Sequence, residues 1–237
     1  EVDWHEEHKF LKVEFPLNIM SNVANYEVQF GYESKPTHVN TLGDLAKFEV
    51  SGHRWADISE YNYGVALIND SKYGYSCRKN LLSLSLLRSP KKPDSSADMG
   101  KHIFSYALFP HLGNLQHGKV IQEAENFNEP LNLMVDVNSS VNFDEEKSFF
   151  TIDQNNVIIS NIKFAENSKG IILRAYESFG GRCKACIKFD LHKEKIISAY
   201  ECNILEEKEK LLEINDNNEI MIYFTPFKVK TILLEFK

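Results

Sequence analysis

Apolar and polar residues alternate with a period of two along most of this chain, and a segment patterned this way buries one face only as a β-strand. ANYEVQFGY places Ala24, Tyr26, Val28, Phe30 and Tyr32 on one face, with Asn25, Glu27 and Gln29 on the other. LKVEFP alternates through Leu11, Val13 and Phe15, and NLLSLSLLRSP sets Leu82, Leu84 and Leu86 against Ser83 and Ser85. GVALI, HIFSYALF, NVIISNIKF, GIILRAYES, CIKFDL, KIISAYECNI, EIMIYF and FKVKTILLEF continue the pattern between Gly, Asn, Asp and Pro turns. Helical crossovers are missing, so the expectation is an all-β, antiparallel fold. KVIQEAENF alone has helical spacing, through Val120, Ile121, Ala124 and Phe127, while LEEKEKLLEI fits a short helix or a solvated loop.

A boundary is expected where NEPLNLMVDVNSSVNFDEEK combines a proline, many Asn and Ser residues and an acidic cluster. It divides the chain into residues 1–127, a linker 128–147, and a compact sandwich over 148–237. No repeat of 20 to 50 residues is evident, which disfavours a propeller or solenoid.

With 237 residues, 43% of them hydrophobic, the chain buries a sizeable core. A net charge of −7 leaves no basic surplus for phosphates, which argues against nucleic acid or an anionic membrane as the main partner. No run of 18 apolar residues occurs, and EVDWHEEHKF resembles neither a signal nor a transit peptide, so a soluble chain is expected. Cys77, Cys183, Cys186 and Cys202 are too few and scattered for a disulfide scaffold, which fits a reducing compartment. The CxxC of Cys183 and Cys186 lacks a second half-site, and in a strand its thiols point to opposite faces. His5 and His8 form a metal pair only on a helix, whereas the flanking alternation reads as strand. No metal site is expected in the chain.

DWHEEHKFLKVEFP, YEVQFG, PTHVNT, AKFEVSGHRWADISE, YGVALINDSKYGYS, LSLSLLRSPKKPDSSADMGKH and YFTPFKVKTILLEF resemble, in order, the C-terminal part of glycoside hydrolase family 38. They are most similar to its cytosolic and vacuolar α-mannosidases, which trim free oligosaccharides, and most strongly so from Asp3 to His111. The resemblance implies that residues 1–127 are part of a large, mutarotase-like β-sandwich and that 148–237 are a smaller C-terminal one. It also implies a fragment of an α-mannosidase, cytoplasmic or vacuolar, that acts on a mannose-containing oligosaccharide. The nucleophile, the acid carboxylate and a zinc ion belong to an N-terminal barrel, joined through a helical domain, so no catalytic residue and no cofactor is expected here.

Two segments concentrate candidate substrate-binding or domain-interface residues. HRWADISE and INDSKYG offer Arg54, Trp55, Asp57, Asp70, Lys72 and Tyr73, with Tyr61 between them. One reading uses Trp55, Tyr61 and Tyr73 as platforms for a sugar face and the charged groups as hydroxyl partners. The other buries Trp55, pairs Arg54 or Lys72 with carboxylates, and sets the surface against neighbouring domains. RSPKKPDSSADMGKH adds Asp98, Lys101 and His102, stiffened by Pro90 and Pro93. In other branches of the family this loop reaches over the barrel with an arginine, but here ADMGKH stands in that place, so no role transfers to a particular residue. Two alternatives remain beside the mannosidase part: an autonomous carbohydrate-binding module, and a mutarotase-like epimerase pairing His38, His53 or His102 with Glu60.

Overall fold

A computed structural model describes residues 1–133, 148–166, 169–190 and 196–236. Its contacts divide the chain into two units, Glu1–Leu133 and Met134–Lys237. Most of the expected linker, residues 134–147, lies outside the described residues.

The first unit contains β1 (Val2–Trp4), β2 (Leu11–Pro16), β3 (Val23–Val28), β4 (Gly31–Pro36), α1 (Leu42–Ala46), β5 (Val50–Ser51) and β6 (Trp55–Ser59). It continues through β7 (Tyr63–Asn69), β8 (Gly74–Arg78), β9 (Leu81–Leu87), β10 (Gly100–His102), β11 (Tyr106–Leu112) and α2 (Val120–Asn128). A five-stranded sheet, β11-β7-β6-β3-β4, contributes Ala24, Tyr26, Ala56, Ile58, Val65 and Leu67 to one core. A four-stranded sheet, β2-β9-β8-β5, supplies Tyr75, Cys77, Leu82, Leu84 and Leu86 to the same core. All the strand pairs are antiparallel, and this is a β-sandwich. Each fully buried leucine contributes about 1.5–3 kcal/mol, so Leu82 and Leu84 are major supports. The opposite face of the five-stranded sheet carries Trp55, Ala66 and Ile68, and α2 packs on β6 and β7 there.

The second unit contains β12 (Phe150–Ile152), β13 (Val157–Phe164), β14 (Gly170–Glu177), β15 (Cys183–Phe189), β16 (Ile196–Cys202), β17 (Lys208–Leu212), β18 (Glu219–Phe224) and β19 (Val229–Phe236). Sheets β12-β15-β18 and β13-β14-β19-β16-β17 face each other across Leu173, Ala175, Ala185, Ile187, Ile220, Ile222, Ile232 and Leu234.

Several local expectations change. The ANYEVQFGY run is two strands, because Val28 pairs with Gly31 and Phe30 turns the chain at a left-handed φ of 58°. Phe30 is consequently exposed rather than continuous with Ala24 and Tyr26. LEEKEKLLEI is neither helix nor loop, since Lys208–Leu212 is an edge strand paired with β16. Period-two patterning is weak there because almost none of the strand's side chains are buried on either face. His5 and His8 lie outside any strand, His8 at φ 53°, and His5 hydrogen-bonds Asp3 at 2.8 Å. The short helix α1, capped reciprocally by Thr41 and Asp44, has no counterpart in the alternation.

Candidate functional site

The sequence candidates separate into two groups. Arg54, Trp55 and Asp57 belong to the face of the five-stranded sheet that α2 covers. In β6 the core takes Ala56 and Ile58, so strand geometry turns Trp55 and Asp57 the other way. The Asp57 carboxylate, fully buried, accepts a hydrogen bond from His111 Nε2 at 2.8 Å and one from Ser59 Oγ at 3.0 Å. His111 is buried as well, and its Nδ1 has no partner among the described residues. Two glycines make room for this imidazole: a Cβ on Gly64 would fall 2.6 Å from Nε2, and one on Gly118 would fall 2.2 Å from Nδ1.

Arg54 immediately precedes the same strand. Its guanidinium donates to both oxygens of Glu27 and through Nη1 to Glu125 of α2 at 2.7 Å, while its backbone N–H also reaches Glu27. Burial opposes the guanidinium charge, but the hydrogen bonds and charge of Glu27, with Glu125, outweigh it and raise the arginine pKa. The arrangement ties helix to sheet through an ion triad in which Glu27 is buried while Arg54 and Glu125 keep partial access to solvent. Trp55 is 1% exposed, its ring 6.2 Å from that of Tyr32 and its Nε1 without a partner among the described residues. That indole offers no face to solvent.

The second group surrounds the turn after β7 and the loop between β9 and β10. Buried Asn69 accepts from the backbone N–H groups of Ser71 and Lys72 and donates to the His53 carbonyl and to Tyr75 Oη, which fixes the turn. Asp70 accepts from Ser71 Oγ and from the Ser105 N–H. Burial raises its pKa, but these bonds prevail and hold it below the usual range. Lys72 Nζ stands 4.6 Å from the Phe104 ring centroid. Tyr73, largely exposed, meets His53 edge-on at 5.8 Å.

Asp98 organises the loop. Its Oδ2 accepts from the N–H groups of Arg88 and Ser89 at 2.8 Å each, and its carbonyl accepts from His102 Nε2 at 2.9 Å. The two backbone bonds lower its pKa, with help from the charges of His102 and Lys72. Trp4 Nε1 donates to Ser89 Oγ at 2.5 Å, and β1 pairs with β10, where Lys101 lies opposite Asp3 and is exposed. The fold thus brings Asp70, Lys72, Asp98 and His102 into one neighbourhood and leaves Arg54, Trp55 and Asp57 in another.

Among the epimerase candidates, His53 is engaged with Gln29 and Tyr73, and His102 with Asp98. His38 lines the same pocket as Glu60, whose carboxylate accepts from the Met20 N–H. In β15, Cys183 packs on the core beside Ala185 and Ile187 while Cys186 takes the alternate face. No group of three or more His, Cys, Asp or Glu side chains converges as a metal holder among the described residues. The zinc that the family resemblance implies therefore has no fitting donor set in them. Glu27, Glu125, His111, Trp4 and Ser89 escaped sequence reasoning. Their partners stand 27 to 85 residues away, and a period of two carries no signal at that range.

Residues 1–96 match the family model "Glycosyl hydrolases family 38 C-terminal domain", and residues 156–232 match "Glycosyl hydrolases family 38 C-terminal beta sandwich domain". Over 99% of its length the chain is 43% identical to alpha-mannosidase 2C1 of Mus musculus, and over 97% it is 43% identical to alpha-mannosidase G of Dictyostelium discoideum. An alpha-mannosidase of Saccharomyces cerevisiae is 39% identical over 99% of the chain. The chain spans about a fifth of the length of these relatives, 22%, 21% and 23% respectively. A crystal structure of an alpha-mannosidase from Enterococcus faecalis shares the fold over 95% of this chain and 26% of its own, with a TM-score of 0.77 at 15% identity.

Proposed function

The chain belongs to glycoside hydrolase family 38, and from that premise we propose that it is the C-terminal β-sandwich part of an α-mannosidase that hydrolyses terminal α-mannosidic bonds in oligosaccharides. The observation that carries the reading is the 43% identity, sustained over 99% of the chain, with an alpha-mannosidase. The reading puts the protein in the cytoplasm or the vacuole, and assigns nucleophile, acid and metal to polypeptide beyond these residues.

The side chains support that division of labour. A retaining glycosidase needs two carboxyl groups flanking the scissile bond and open to substrate. Asp57, the most buried carboxylate of the first unit, is instead closed over by His111 and Ser59. What this chain supplies is rigid placement. Asp98 holds the backbone of Arg88 and Ser89, Asn69 and Asp70 hold the adjacent turn, and both present polar groups without searching conformations. In this reading Asp70, Lys72 and His102, grouped beside Asp98 and Ser105, meet the catalytic barrel.

Hydrolysis of an aryl α-mannoside by the complete polypeptide tests the proposal. Asp98→Ala should lower kcat/KM by about tenfold, and Asp98→Asn, which keeps one acceptor oxygen, should restore most of it. A complete polypeptide that leaves α-mannosides intact would refute the reading, as would full activity from residues 1–237 alone.

A further inference from the structure

Independently of the mannosidase reading, we infer that the pocket between the β1–β2 connection and the start of the β9–β10 loop binds a phosphate-bearing anion, either a hexose phosphate or inorganic phosphate. His8, Lys9, Phe10, Arg88, Lys91 and Lys92 line it, together with Ser89 and Pro90, and no carboxylate does. Such a concentration of cationic side chains is unexpected in a chain of net charge −7.

The charge is only partly neutralised. Lys9 pairs with Glu6 at 2.7 Å and Lys91 with Glu7 at 2.9 Å, both outside the pocket lining. The Asp98 carboxylate is turned onto backbone amides. Arg88 and Lys92 are left with no side-chain hydrogen bond or ion pair among the described residues. An unpaired guanidinium and ammonium at one mouth, beside a histidine, suit a phosphate: the arginine fork donates to two of its oxygens and the lysine adds a point charge.

The wall is built to hold still. His8, Ser89 and Asp98 all take left-handed backbone conformations, with φ of 53°, 52° and 63°, which non-glycine residues adopt at a cost. They are linked: the His8 N–H donates to the Ser89 carbonyl at 3.2 Å, and the Ser89 N–H donates to Asp98. Ser89 is fully buried, Trp4 anchors its hydroxyl, and Pro90 follows it. Less ordering therefore remains to oppose ligand binding.

The pocket volume, about 630 Å³, leaves room beyond a phosphate group. Phe10 is half-exposed, with the Lys12 ammonium 4.5 Å from its ring centroid, and together with Pro90 it gives an apolar surface on which the C–H face of a sugar can rest. The geometry favours a hexose carrying a phosphate monoester.

Titration calorimetry on the complete polypeptide, with mannose 6-phosphate, inorganic phosphate and mannose as probes, tests the assignment. Both phosphate-bearing probes should bind, with affinity falling as salt rises. The double variant Arg88→Ala/Lys92→Ala should weaken each by about tenfold or more, and Lys92→Glu should weaken each further than Lys92→Ala. Because these side chains are exposed, the unfolding temperature serves as a control and should not move. Tighter binding of mannose 6-phosphate than of phosphate, abolished by Phe10→Ala, identifies a hexose phosphate as the ligand. Equal binding identifies the free anion. The assignment fails if neither phosphate-bearing probe binds at about 10 mM, or if the double variant binds both as the parent does.

Discussion

The two units bury polarity in different ways. Glu1–Leu133 encloses Glu27, Asp57, Asn69, Ser89 and His111, side chains whose partners come from other strands, from α2 or from loops. Met134–Lys237 encloses an apolar core and, among its described residues, one concentrated polar centre at Glu177. That carboxylate accepts from Asn156 Nδ2 and from the N–H groups of Phe179, Gly181 and Phe227. The first arrangement fixes where surfaces sit; the second closes two turns at the end of a sandwich. Buried charge contributes little net stability over an apolar replacement, so its concentration in the first unit points to positioning rather than cohesion.

Removing one partner of the Asp57–His111 pair should have the largest effect. Asp57→Ala or His111→Ala strands a buried polar group and should destabilise the first unit by about 3–5 kcal/mol in denaturant unfolding, with most of the loss shared in a double-mutant cycle. Additive losses would show that the pair is not a unit. In the second unit, Glu177→Gln presents an amide N–H₂ to backbone donors and should cost about 2–3 kcal/mol. Hydrogen exchange should locate that loss at the 177–181 and 225–228 turns; a loss spread into the first unit would show that Glu177 does more than close turns.

Asp98→Ala follows, at about 1–2 kcal/mol, because two backbone bonds go and alanine tolerates the left-handed φ less well than aspartate. The same residue predicts a pH response. Its folded pKa is lowered from 3.8, so its stabilisation is present above that value and is lost as pH falls through the lower folded value. Acid titration monitored by exchange of the Arg88 and Ser89 amides checks this, and Asp98→Asn should abolish the dependence.

The smallest contrast concerns thiols, with one buried cysteine expected to resist modification in each unit. Cys77 and Cys202 are buried whereas Cys183 and Cys186 are partly accessible, and burial pushes the Cys77 thiol up to about 12. A thiol reagent at neutral pH should modify Cys183 and Cys186 first and leave Cys77 until unfolding. Reaction of Cys77 before Cys202 would mean that the first core opens more readily than the second.

Much of the fold was legible because burial of one face imposes its own period. Leu82, Leu84 and Leu86 lie together in the core as their spacing requires, and Val120, Ile121 and Ala124 form the buried side of α2. Legibility stopped where a turn hid inside a regular run, as at Phe30, and where an edge strand had too little burial to impose alternation, as at Lys208–Leu212. In the candidate site the charged residue types stood out in sequence, yet their assignments did not. Arg54, Asp57 and Asp70 are neighbours in the chain but face different partners: Glu27 with Glu125, His111 with Ser59, and Ser71 with Ser105.

Alternation is a local property of adjacent residues, so the residue order alone specifies antiparallel strands, a short amphipathic helix, and which side of most strands turns inward. It takes the assembled sheets to bring Asp57 to His111, to let Arg54 bridge Glu27 and α2, and to have Asp98 clamp the loop of Arg88 and Ser89. Those pairings depend on sheet order and on how the loops close over the sheets. Order and closure are set by contacts between residues far apart in the chain, which no local period records.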